Sequence, residues 1–229
     1  MKLIFYFNTI KNTGVLIDPN KKFVRKFSSD YKSSILLKNE TRGLYWYEKK
    51  IKKNKKFKVS KTTKKKPFID FPLIKGREIS YASSLSDNYD YANKVINYYK
   101  KFWPTKKITP CHGDLTFANI IFEKNNLSII DWENFILKEE WGYDICYFLI
   151  SSLTLPYIIK HKKILKEKDL LVFEKLWRNF YKENRYKYSK NPTKYIKDSV
   201  KKLNLRNYSS FYLNKLSKNQ INQINEIIN

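Results

Sequence analysis

CHGDLTFANIIFEKNNLSIIDWE, residues 111–133, is the stretch from which the rest of the chain is read. Two short apolar runs, Asn119–Phe122 and Leu127–Ile130, flank the polar segment Glu123–Asn126. Runs this short, bounded by a turn signal, predict a β-hairpin. The hairpin places Asn119 at the start of one strand and Asp131 at the end of the other, and in an antiparallel pair those ends are neighbours. An amide oxygen and a carboxylate then converge, with Asp114 on the loop that feeds the hairpin. Hard oxygen ligands of this kind suit Mg²⁺, which commonly takes one or two protein ligands plus substrate phosphates. Asp114 is left to accept a hydroxyl proton.

The residues HGDLTFAN (112–119) and IDWE (130–133) resemble the catalytic and metal segment of the aminoglycoside phosphotransferase/choline kinase-like family, whose pattern is H-G-D-x-x-x-x-N, a short hairpin, then I-D-W-E. The likeness to protein kinases proper is lower, because Gly113 and Trp132 stand where those enzymes have the Arg of H-R-D and the Phe of D-F-G. The resemblance implies an α+β, protein-kinase-like two-lobed fold. A small antiparallel β lobe (1–75) would bind nucleotide, and a larger, mainly helical lobe (76–229) would carry the catalytic loop and acceptor site. It further implies ATP and Mg²⁺ as cofactors, Asp114 as the catalytic residue and Asn119 and Asp131 as metal ligands. The plainer reading of the same residues is that His, Asp and Asn cap turns; the full constellation is more specific than that.

Ahead of this stretch the N-terminus predicts three antiparallel strands, Leu3–Phe7, Val15–Ile17 and Lys22–Phe27, separated by turn-rich Asn8–Gly14 and by Asp18-Pro19-Asn20. Alternation in the third strand puts Lys22, Val24 and Lys26 on one face and Phe23, Arg25 and Phe27 on the other. A strand roofing a nucleotide needs a small apolar residue over the base and, two positions on, a cation for the phosphates. Val24 and Lys26 have that spacing. Ser33–Lys50 predicts a helix with Ile35, Leu36, Leu44 and Tyr47 near one stripe, interrupted by Gly43. In kinase-like folds this helix carries a glutamate that pairs with the strand lysine, and Glu40 is the candidate. A glycine-rich phosphate loop is reduced to Gly14, so the amides of Asn12–Gly14 are expected near the phosphates.

Lys49–Lys66 holds eleven lysines and no acid. Phe57 and Val59 suggest a strand there and Thr62-Thr63 a turn: a solvated hairpin, or an anionic-surface contact. Phe68–Ile74 reads as the last strand of the small lobe, with adenine expected against the backbone of Asp70–Ile74 and the lobe boundary at Pro72 and Gly76. Ser86–Trp103 predicts an aromatic-rich helix ended by Pro104. Asp144 stands just ahead of a continuous apolar segment; the resemblance gives it the task of bracing the catalytic loop, and a plain helix N-cap is the alternative. Residues 151–229 predict three or four amphipathic helices, among them Asp169–Lys182 and Thr193–Leu203.

Composition limits the partners. The net charge is +26, yet of 47 basic residues only six are Arg. Lys, Asn, Ile and Tyr are all abundant and all have A/T-rich codons, so the charge has two readings, compositional drift and an anionic partner, and Arg, the better bidentate phosphate ligand, is scarce. Nucleic acid is therefore not the expected partner; a small-molecule or glycan acceptor is, with an anionic membrane surface as a further contact. Two cysteines and two histidines are too few for a disulfide framework or a zinc site. The longest uncharged run, Ile145–Ile159, contains Pro156 and is too short to span a bilayer. The expected location is cytoplasmic. The expected activity is ATP-dependent phosphoryl transfer to a hydroxyl of a sugar or glycan. The alternatives are a choline/ethanolamine- or aminoglycoside-type kinase and, in other classes, a pseudokinase or a nucleic-acid-binding protein.

Overall fold

The computed structural model describes residues 3–9, 11–51, 68–124, 126–184 and 216–228. The chain divides into two compact units, 1–76 with 130–136, and 77–129 with 137–229. Residues 130–136, expected with the second lobe, thus cluster with the first unit.

The first unit is a four-stranded antiparallel sheet, β1 (Ile4–Asn8), β2 (Thr13–Asp18), β3 (Phe23–Ser28) and β4 (Phe68–Pro72), in the order β1-β2-β3-β4, with helix α1 (Tyr31–Ile51). Asp30 starts α1: its carboxylate accepts from Ser33 N at 2.7 Å, while Ser33 Oγ faces Asp30 N at 3.3 Å, a reciprocal N-terminal cap. The buried stripe of α1 is Leu37, Glu40, Leu44 and Tyr47, at helical spacing. Ile35, expected on that stripe, is instead exposed, because the stripe is set by Leu37 one position round. Against α1 lies the segment 130–136: the ring of Trp132 is 4.9 Å from Tyr47 and 5.9 Å from Trp46, and Phe135 is 6.2 Å from Trp46. Gly43 makes this possible. A Cβ there would stand 2.7 Å from Trp132 Cβ and 3.0 Å from Phe135 Cβ. The residue that weakened the helix in the sequence is the notch that seats Trp132.

Gly14 needs a similar correction. It lies inside β2, paired with Phe7 and Phe27, and a Cβ would fall 2.1 Å from the Phe27 ring. Its role is to give that ring room, not to offer its amide to phosphates. On the same face Arg25 forms a bidentate pair with Asp70 at 2.6 and 2.7 Å and lies 4.1 Å over the Phe68 ring. Leu73 N donates to Lys22 O at 2.9 Å, which removes one amide from the segment expected to meet adenine.

The second unit holds the predicted hairpin, β7 (Ile120–Glu123) and β8 (Asn126–Ile129), with Ile120 opposite Ile129 and Phe122 opposite Leu127. A two-residue strand, β5 (Arg77–Glu78), extends it along β7. β6 (Ile108–Cys111) pairs with β9 (Ile136–Glu140). The helices are α2 (Tyr89–Phe102), α3 (Tyr143–Ile159), α4 (Glu167–Asn184) and α5 (Lys218–Ile228). The helix predicted over 86–103 begins with a 3₁₀ turn, Ser86–Asn88, before α2. α3 is buried on all sides from Tyr143 to Tyr157, and among the described residues no helix is long and apolar enough to cross a membrane. Both cysteines are free and buried. The strand expected at Phe57 and Val59, the turn expected at Thr62-Thr63 and the helix expected over Thr193–Leu203 lie outside the described residues.

Candidate active site

The first unit builds a cluster of charges beneath its sheet. Glu40 sits between Leu37 and Leu44 on the buried stripe of α1 and is 1% exposed. A carboxylate there requires a partner. β3 supplies it: Lys26 Nζ donates to Glu40 Oε2 at 2.8 Å and to Asp131 Oδ1 at 2.5 Å. Asp131 adopts the left-handed conformation, φ 63° and ψ 58°, which Asp tolerates better than most residues and which turns the chain from β8 into the 3₁₀ turn Trp132–Asn134. Lys11, on the connection between β1 and β2, pairs with Glu133. Carboxylate oxygens of Glu40, Asp131 and Glu133 all lie within 4.8 Å of one another.

The electrostatics follow from crowding and burial. Burial works to lower the Lys26 pKa, but Asp131, Glu40 and Glu133 outweigh it and the ammonium is held charged. Burial pushes Glu40 up to about 7; Lys26 pulls it back and Asp131 adds to the rise. Among the described residues Glu40, Asp131 and Glu133 gather hard carboxylate oxygen atoms at one place, a donor set suited to a divalent cation such as Mg²⁺.

The second unit positions the HGD loop. Asp144, fully buried in the first turn of α3, accepts the backbone N–H of His112 at 2.8 Å and of Gly113 at 3.0 Å. Burial is the main cause that raises its pKa, to about 7, and those two N–H groups oppose the rise. It is a brace for the loop rather than a cap of its own helix. Gly113 has φ 85°, a left-handed position that a side chain would strain. His112 Nδ1 accepts from Asp114 N at 3.3 Å, and Asn119 donates from Nδ2 to Asp114 O at 2.8 Å. Asn119 thereby turns its amide nitrogen to the loop and keeps its oxygen for another partner. Tyr147 donates its hydroxyl to Asp114 Oδ1 at 2.8 Å.

Of the residues singled out from sequence, Lys26, Glu40 and Asp131 are brought together, and Val24 shares the strand face of Lys26, opposite Ile17 and Phe71. Arg25 points to the other face. Asp114 and Asn119 are joined by a hydrogen bond within the second unit, whereas Asp131 belongs to the first. Three residues were missed. Tyr147 was signalled by its place one turn after Asp144, Glu133 by its two-residue spacing from Asp131, and Lys11 by nothing local.

No known family profile and no curated protein matches the sequence. Solved structures do. An ethanolamine kinase from Plasmodium vivax aligns over 99% of this chain and 81% of its own, with a TM-score of 0.50 and 15% identity. An amicoumacin kinase, solved with AMP-PNP and Ca²⁺, covers 98% of this chain and 86% of its own, at TM-score 0.49 and 11% identity. The aminoglycoside phosphotransferase APH(2'')-Ib, solved with ADP, covers 100% and 92%, at TM-score 0.46 and 14% identity. The chain has the protein-kinase-like fold found in the ethanolamine kinase, the fold that its HGD–Asn–IDWE segment implies.

Proposed function

We propose that the protein is an ATP-dependent phosphotransferase that moves the γ-phosphoryl group to a hydroxyl of a small molecule. The observation that carries this reading is the buried Lys26–Glu40–Asp131 network: a lysine fixed by a core carboxylate and aimed at a second, more exposed one. Such a lysine holds the α- and β-phosphates in kinases. Val24, on the same strand face as Lys26, would cover the base. Asp131 and Asn119 offer oxygen ligands for Mg²⁺, which when bound neutralises phosphate charge. Asp114, held by Tyr147 and by the loop that Asp144 braces, would orient the acceptor hydroxyl and take its proton as that oxygen bonds to the γ-phosphorus and the bond from the γ-phosphorus to the β–γ bridging oxygen breaks, with ADP as the leaving group. Phosphoryl transfer depends mainly on positioning and electrostatics, so a carboxylate suffices as base.

For the acceptor, residues 151–229 carry 18 Lys and Arg against six Asp and Glu, which favours an acidic or phosphorylated sugar, or a glycan at an anionic membrane surface, over a cationic substrate. The alternatives are an amino alcohol, the acceptor class of the ethanolamine kinase that shares the fold, and an aminoglycoside. The test is ADP release with Mg²⁺ and ATP against sugars, sugar phosphates, amino alcohols and aminoglycosides, beside Asp114→Ala. Acceptor-dependent turnover that disappears in the variant is expected and names the substrate class. Mg²⁺-dependent ATP binding without turnover on any acceptor points to a pseudokinase, and absence of ATP binding refutes the nucleotide site.

A further inference from the structure

Kinases commonly cover the nucleotide phosphates with the backbone amides of a glycine-rich β1–β2 connection. This chain has no glycine in that connection, residues 9–12, and among its described residues Lys11 and Asn12 are held by neighbouring segments. Lys11 N donates to Asn8 Oδ1 at 3.0 Å. Asn12 adopts φ 50°, its carbonyl accepts from Ser29 N at 3.0 Å and Ser29 Oγ at 3.1 Å, and its Nδ2 donates to Asp30 Oδ2 at 2.6 Å. These bonds engage the Lys11 amide and fix the root of one long flexible cation. That cation, Lys11, reaches Glu133, a member of the same carboxylate cluster that Lys26 serves.

We infer that Lys11 is a second phosphate-binding residue, contacting the polyphosphate of a nucleoside triphosphate in place of glycine-loop amides. This inference rests on the nucleotide site proposed above. Glu133 holds the ammonium beside that site, and the phosphates offer it a more highly charged anionic partner. A side-chain ammonium on a four-carbon stem makes the exchange by rotamer changes, with no movement of the pinned backbone. Two lysines from different strands or connections then grip one polyphosphate chain. Specificity follows: the contact discriminates by phosphate number and not by base.

The test is calorimetric titration of the full chain with ATP, ADP and adenosine in Mg²⁺, using the wild type, Lys11→Met and Lys11→Arg, with the melting temperature of each. Lys11→Met is expected to weaken ATP about tenfold or more, the usual scale for a hydrogen bond to a charged group, to leave adenosine unchanged, and to be largely rescued by Lys11→Arg. Unchanged ATP affinity in Lys11→Met overturns the inference while leaving the nucleotide site intact. An equal loss for ATP and adenosine also overturns it, because it marks the Lys11–Glu133 pair as a structural clip. Failure of the wild type to bind either ligand removes the underlying nucleotide site as well.

Discussion

Gly43→Ala should destabilise this protein, against the ordinary rule for helices. Replacing glycine by alanine inside a helix normally gains about 1 kcal/mol. At position 43 the new methyl carbon would stand 2.7 Å from Trp132 Cβ, 2.9 Å from Trp132 Cε3 and 3.0 Å from Phe135 Cβ. Carbon atoms prefer separations of about 3.5–4.0 Å, so three contacts are too close at once. Two of them involve Cβ atoms, which move only with their backbone. Overpacking of this kind costs typically 1–3 kcal/mol, and with no rotamer to relieve it the upper part of that range applies. The net expectation is a loss of about 1–2 kcal/mol. The strain falls on residues 132–135, next to Asp131, so Mg²⁺·ATP binding should weaken in parallel, by about tenfold if Asp131 is pushed off Lys26. Urea unfolding gives the first quantity and nucleotide titration the second. A variant stabilised by about 1 kcal/mol, with nucleotide binding intact, would refute the notch and with it the account of how α1 positions Asp131.

Asp144→Asn keeps one acceptor for His112 N and Gly113 N but turns an N–H₂ toward the other; a loss of about 2–4 kcal/mol is expected from the broken charged hydrogen bond and the unmatched donor, read by chemical denaturation. Glu40 has a folded pKa raised from 4.5 to about 7, so between those values the folded chain holds a proton that the unfolded chain has released. Its contribution to stability therefore falls as pH rises through that window, while the Lys26–Glu40 ion pair, and with it ATP affinity, strengthens toward pH 8. Glu40→Gln should flatten both trends relative to the wild type, and parallel curves for the two proteins would contradict this. Tyr147→Phe removes the hydroxyl bonded to Asp114 Oδ1; kcat should fall several-fold with KM for ATP unchanged, because the carboxylate that positions the acceptor loses one of its holds, and steady-state kinetics with the acceptor saturating would show it.

The readable parts of this chain were those whose information is local. The hairpin around 119–130 was legible because two short apolar runs and the polar turn between them occupy twelve residues, and the choice of Lys26 over Arg25 because adjacent residues on a strand must face apart. The pairing of Lys26 with Glu40 was implied by the family resemblance rather than by the periodicity of the helix, and the structure brings the two together at 2.8 Å. What stayed hidden depended on segments distant in sequence. Neither glycine could be interpreted alone: Gly14 is small for Phe27 and Gly43 for Trp132, a residue 89 positions later. Periodicity placed Ile35 on the core stripe because nothing near it says that Leu37 and Glu40 face the sheet. Lys11 and Glu133 are separated by 122 positions, and β5 is too short for any pattern to reveal its pairing with β7.

The first unit is not made of one continuous piece of chain. It uses residues 1–76 and then a seven-residue return, 130–136, after the chain has built β5 to β8 and α2 elsewhere. During synthesis, the aromatic seat on α1 and the buried carboxylate of Glu40 therefore exist before Trp132 and Asp131 have been translated. At roughly 5–20 residues per second, the interval from residue 76 to residue 136 lasts several seconds. For that time α1 exposes Trp46, Tyr47 and the notch at Gly43 to the ribosome's surroundings. A fragment ending at residue 76 should accordingly collapse into a loose, chaperone-bound species, and adding the 130–136 peptide in trans should be enough to tighten it.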